Sequence, residues 1–207
     1  MNKTTLYIVR HGQTEWNQEG RLQGHMDSPL TKLGELQARS LYEPLKNVQF
    51  DCIYSSPSLR ALHTAELITG NKKGEIVKID EFKEIYFGEW EGQLEKNLEK
   101  KFPEQFTPFK EAPHLYRNDS GESFFDVQKR VLPKLSEIIN KHTGSNILIV
   151  AHNVVIKIIL AHFQDSPMAD IWKLPPIKPA SLSKVEIMDD IPKILLFGEI
   201  SHYKDQL

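Results

Sequence analysis

Leu6-Tyr7-Ile8-Val9-Arg10-His11-Gly12, running on into Gln13-Thr14-Glu15-Trp16-Asn17, is the stretch whose reading decides the fold. Leu6–Val9 is apolar and strand-like, the signature of a buried strand. No rule of strand formation asks such a run to end in arginine, histidine and glycine. Either it is a charged turn like any other, or the strand delivers an imidazole to the top of a sheet. Working outward, short apolar runs recur at Cys52–Tyr54, Ile76–Ile79, Ile147–Val150, Leu182–Ile187 and Ile194–Phe197. Helical spacing fills the intervals. Thr31 can cap a helix carrying Leu33, Leu36, Leu41 and Leu45, and Ser58–Thr69 reads as a helix closed by Gly70. Phe124, Val127, Val131, Leu135 and Ile138 form one stripe, in a helix that Pro133 should bend or deprive of a hydrogen bond. Val154–Phe163 is apolar nearly all round, as in a helix buried against a sheet. Strands alternating with helices predict an α/β sheet covered on both faces.

The chain's 207 residues are enough for one well-filled domain. Its 26 basic and 28 acidic side chains leave no cationic excess for nucleic acid, and no apolar run approaches the ~20 residues of a membrane span. Cys52 is the single cysteine, which suits a reducing compartment. It is expected to be a small buried hydrophobe. With no apolar signal core before the first strand, the expected location is cytoplasmic. The polar, proline-bearing segment at about 89–118 reads as an insertion over one end of the sheet, a candidate lid. Its aromatics, together with Phe87, either line an apolar upper pocket or merely tie the segment down.

Ligands of open α/β sheets collect at the carboxyl ends of the strands. There this chain places Arg10-His11-Gly12, then Ser55-Ser56-Pro57 with Arg60 in the next helical turn, then Ala151-His152. Glu84 follows the run Ile76–Ile79. Grouping two arginines and two histidines is costly unless an anion joins them. A phosphoryl group suits planar guanidinium forks and helix N-termini.

These residues carry a resemblance. The segments "RHGQTEWN", "RLQGHMDSPLTKLGELQA", "YSSPSLRALHTAELI", "EIYFGEWEG", "GESFFDVQKRV" and "VAHN" occur in that order. Together they resemble the histidine phosphatase superfamily, in its phosphoglycerate-mutase-like branch. The similarity runs from about residue 5 to 163, and "SLSKVEI" with "GEISHY" is similar to the family's closing strands. The resemblance implies a three-layer α/β/α sandwich with a mostly parallel sheet, His11 as the phosphorylated nucleophile, and Arg10, Arg60 and His152 around the phosphate. It implies Glu84 as proton donor and Asn17 as a further phosphate contact, with Thr14, Gln23 and Gly24 near the pocket. Asn153 stands where the family often has glycine; its backbone N–H survives the change, and asparagine tolerates left-handed geometry.

The chemistry is consistent with that assignment. A neutral imidazole must keep one nitrogen bare and pin its other proton, for which the Gly12 carbonyl is the candidate. Arg10, Arg60 and a protonated His152 would stabilise the transferring phosphoryl, and Glu84 would serve as acid and then base with a raised pKa. The expectation is a metal-independent phosphomonoesterase with no cofactor, acting on a small phosphate ester. Two readings compete: a cofactor-dependent phosphoglycerate mutase, and a non-catalytic phosphate-binding or interaction module. The mutases resemble one another in a longer lid with adjacent arginines, whereas residues 89–118 hold only Arg117.

Overall fold

The computed structural model describes residues 3–70 and 75–206. In chain order the strands are β1 (Lys3–Arg10), β2 (Cys52–Ser55), β3 (Ile76–Lys78), β4 (Asn146–Ala151), β5 (Leu182–Met188) and β6 (Ile191–Glu199). The helices are α1 (Glu15–Glu19), α2 (Lys32–Ser40), α3 (Tyr42–Leu45), α4 (Leu59–Thr69), α5 (Glu95–Lys101), α6 (Pro103–Glu111), α7 (Phe124–Lys141) and α8 (Asn153–Phe163). The strands form one sheet in the order β3-β2-β4-β1-β5-β6. β3, β2, β4 and β1 pair in parallel, and β5 and β6 are antiparallel. This is a mostly parallel α/β sheet, as expected.

Alternation along the central strands sorts their side chains into two cores. Leu6 and Ile8 of β1, with Ile147 and Ile149 of β4, join the cluster containing α7 and α8. Tyr7, Val9, Leu148 and Val150 join the cluster containing α3 and α4. All five residues of the α7 stripe are buried, each burial contributing ~1.5–3 kcal/mol before entropy is counted. Ser123 caps α7 reciprocally with Asp126. α7 runs unbroken from Phe124 to Lys141 through Pro133, which costs it one backbone donor without ending it.

The expected single helix carrying Leu33, Leu36, Leu41 and Leu45 is corrected in part: Leu41 and Leu45 are buried and Leu33 is half-buried. Leu36 is exposed, and the chain divides at Leu41 into α2 and α3. The buried face of α2 is Gly34, Gln37 and Ala38, because α2 is pressed against the loop after β1. A methyl group on Gly12 would collide with the Gly34 carbonyl oxygen, and one on Gly34 with the carbonyl oxygen of Gln13. Glycine here provides close approach, not unusual backbone angles. Cys52 is half-buried rather than a core residue; its Sγ lies 3.1 Å from His142 Nδ1, and Tyr54 Oη lies 2.7 Å from His142 Nε2. In the 89–118 segment, Trp90, Leu98, Phe106, Phe109 and Tyr116 are buried in the same core as α7 and α8, so its aromatics do anchor it. No helix among the described residues is long and apolar enough to cross a membrane.

Candidate active site

β1 and β4 are neighbours, yet the helices that follow them pack on opposite faces, α2–α3 on one and α8 on the other. Such a switch point opens a crevice at the strand ends. There lies a cleft of about 220 Å³. Its wall includes Arg10, His11, Asn17, Gln23, Gly24, Arg60, Glu84 and Asn153. Thr14 and His152 are fully buried behind that wall.

His11 is held from both sides. Its Nδ1 lies 2.8 Å from the Gly12 carbonyl oxygen. A carbonyl only accepts, so Nδ1 carries the proton and Nε2 is left bare. Gly12 N–H donates to Thr64 Oγ1 at 3.0 Å, and Thr64 Oγ1 donates to the Arg60 carbonyl at 2.7 Å, coupling the loop to α4. Burial, then Arg60 and Arg10, push the His11 pKa well below the usual histidine value, so the ring stays neutral.

Arg60 is among the largest fully buried side chains. Its Nη1 donates to the Met26 carbonyl and Asp27 Oδ1, both at 2.8 Å, and its Nη2 to the Gly24 carbonyl at 2.8 Å. Arg10 Nη1 donates to the Ile177 carbonyl at 2.7 Å. The Nε atoms of both arginines and His152 Nδ1 are buried with no hydrogen-bond partner among the described residues. Buried donors are rarely left so, and an anion would satisfy them.

The His152 ring centroid lies 5.2 Å from that of His11. Burial, then Arg60, His11 and Arg10, push its pKa well below the usual value. A protonated His152 is therefore not the resting form of this site. Glu84 accepts from the backbone N–H of Ile85 at 3.0 Å and of Val154, in the first turn of α8, at 3.3 Å. Burial raises its pKa, while those two N–H groups, Arg60 and Arg10 pull the other way. Its backbone is steadied by Arg130, which donates to the carbonyls of Glu81, Lys83 and Glu84 and grips Glu122.

Thr14 caps α1 in a reciprocal box with Asn17, whose Oδ1 is thereby occupied. Gln23 Nε2 donates to Thr14 Oγ1 at 2.8 Å. Asn153 lies inside α8 with no left-handed angle, so its expected tolerance of that geometry is not used. Of the aromatics expected above the pocket, Phe87 and Phe109 reach the cleft wall; Phe102, Phe106 and Tyr116 do not. Arg21, Leu22, Glu95, Lys110, Val154 and Trp172 complete the wall. The sequence reading did not single out Arg21, Glu95, Trp172, Asp27 or Arg130 for the site. Asp27 and Arg130 lie within recognisable segments, but nothing local marks the pairing of Asp27 with an arginine 33 positions away.

The family model described as "Histidine phosphatase superfamily (branch 1)" matches residues 6–200. The chain belongs to the histidine phosphatase superfamily. Among solved structures, Bacillus stearothermophilus YhfR superposes on this histidine phosphatase with a TM-score of 0.94 and 39% identity, covering 97% of this chain and 100% of that one. Phosphoserine phosphatase 1 of Hydrogenobacter thermophilus is 35% identical over 167 residues, 81% of this chain and 79% of its own length. The adenosylcobalamin/alpha-ribazole phosphatase of Escherichia coli K12 is 30% identical over 81% of this chain and 82% of its own.

Proposed function

We propose that this histidine phosphatase hydrolyses small phosphomonoesters without a metal, through a phosphohistidine formed on His11. The carrying observation is the buried Nε–H of Arg10 and of Arg60, with His152 Nδ1 near them, none partnered among the described residues, beside a histidine whose Nε2 is free. The ester's phosphorus is attacked by His11 Nε2, the P–O bond breaks, and the leaving oxygen takes its proton from Glu84. Water then attacks the phosphohistidine as Glu84 accepts its proton, the P–N bond breaks, and phosphate leaves with His11 neutral again. The guanidinium groups supply the positive charge that spreads over the equatorial oxygens.

The cleft's size favours a compact alcohol portion. Its outer wall mixes Arg21, Glu95 and Lys110 with Leu22, Phe87, Phe109 and Trp172. That lining suits metabolites with a charged group on a short carbon frame, a class that the name of the phosphoserine phosphatase relative fits and that of the adenosylcobalamin/alpha-ribazole phosphatase does not. Against a mutase, Arg117 donates to the carbonyls of His114 and Tyr116 and stays off the cleft wall. The test is phosphate release from a metabolite phosphate panel with chelator present, alongside a mutase assay with and without 2,3-bisphosphoglycerate. His11→Ala should abolish release and leave circular dichroism unchanged. Substantial residual turnover, or trapped phosphate on another side chain by mass spectrometry, would remove His11 from its role.

A further inference from the structure

We propose that Ser56 is a positioning residue that holds His152 in the neutral form protonated on Nδ1, so that the ring gives the phosphoryl group an N–H without bearing a charge. The inference rests on the phosphatase reading for what Nδ1 meets, and on local geometry for the rest. Ser56 Oγ lies 2.8 Å from His152 Nε2. It also lies 3.2 Å from Ser58 Oγ and accepts from Ser58 N–H at 3.4 Å. All three residues are buried.

A hydroxyl has one proton to give and two lone pairs. The hydroxyl pair Ser56–Ser58 can run either way; in the arrangement we assign, Ser58 O–H and Ser58 N–H fill both lone pairs of Ser56 Oγ and its own proton goes to His152 Nε2. The ring's remaining proton then sits on Nδ1, the atom left without a partner among the described residues. The opposite arrangement would leave Nδ1 with a bare lone pair turned toward an incoming anion, which repels it.

The surroundings explain why a neutral donor is useful. Arg10 and His11 reach the ring's neighbourhood from β1 and its loop, Arg60 from α4 and Arg130 from α7, while Glu84 sits on the first turn of α8 through the Val154 N–H. A fourth positive charge beside the three arginines would be costly before an anion arrives. A hydrogen-bonded tautomer is not.

Long-range proton–nitrogen NMR correlations on the full chain report the tautomer directly. The wild type should show His152 protonated on Nδ1 and bare on Nε2; the reverse pattern overturns the proposal, whether or not any substrate has been found. In Ser56→Ala the Nδ1–H pattern should be lost, and inorganic phosphate should bind about 10- to 100-fold more weakly, the cost of one charge-assisted hydrogen bond. The ratio of variant to wild-type kcat/KM should rise as pH falls, because protonating His152 restores the Nδ1 donor. Ser56→Thr should recover the wild-type tautomer and profile. A Ser56→Ala protein with wild-type phosphate affinity and an unchanged tautomer overturns the proposal. The wild-type Nδ1–H pattern without turnover of any ester would instead refute the phosphatase reading and leave the Ser56 assignment standing.

Discussion

His11 Nδ1 donates to the carbonyl of its own neighbour, and that bond decides which nitrogen would attack phosphorus in the proposed reaction. In the proposed reaction its complement is Glu84, which would have to arrive protonated. Burial raises the Glu84 pKa, so the acid form persists above the ordinary carboxylate range. Turnover of alkyl esters, whose leaving oxygens need a proton, should therefore fall as pH rises through that elevated value. Glu84→Gln should lack this limb and lose ~10²–10⁴-fold on alkyl esters but far less on nitrophenyl phosphate; an equal loss on both would move the acid elsewhere. The sign for stability follows from the same shift. Between the unfolded and the raised folded value, the folded state binds more protons, so Glu84's contribution to stability is lost as pH rises. Denaturation at several pH values should show Glu84→Gln gaining on the wild type across that interval. The carboxylate was legible by its motif. The burial that changes its acidity was not, because the N–H of Val154 comes from 70 positions away.

Among the elements, α2 shows where periodicity misleads. Its leucines read as the buried stripe, but Gly34 and Ala38 face inward because the helix packs backbone to backbone on the loop after β1. Leucine at such a contact would hold the elements apart. Gly34→Ala should therefore cost ~1–3 kcal/mol by overpacking and should depress kcat by displacing His11. Unfolding by urea and steady-state kinetics would show both effects, and wild-type values for both would refute the close contact. By contrast, the α7 stripe was read from spacing alone, since its five apolar residues lie on one face and all are buried. Pro133 did not interrupt it. Tertiary burial of that face outweighs one missing hydrogen bond.

At the scale of the whole molecule, an anion bound in the proposed phosphate site would join distant parts of the fold. Arg10 belongs to β1, Arg60 to α4, and Glu84 to the segment between β3 and α5, with buried donors left unpaired. An oxyanion that pairs them should bind only the folded protein. Orthovanadate at a hundredfold excess over its Kd should stabilise the fold by ~2.7 kcal/mol, roughly 5–10 °C in Tm for a chain of this size. Arg10→Ala should remove most of that shift in a thermal melt; an undiminished shift would place the anion elsewhere.

By itself the sequence determined the strand-and-helix alternation, the two-faced sheet and the group of chemically active residues, since each is carried by local periodicity or by a short motif at a strand end. Arg10, His11, Arg60, Glu84 and His152 needed no coordinates to be singled out. Tertiary structure alone decided their electrical state and their support. Charge and tautomer depend on burial and on partners distant along the chain, so the neutral His152, the Arg60–Asp27 pair and the Ser56 hydroxyl emerge only once the strands are side by side. It also chose Trp172 and Lys110 for the outer wall, because a cleft is a property of surfaces that meet and no single segment contains one.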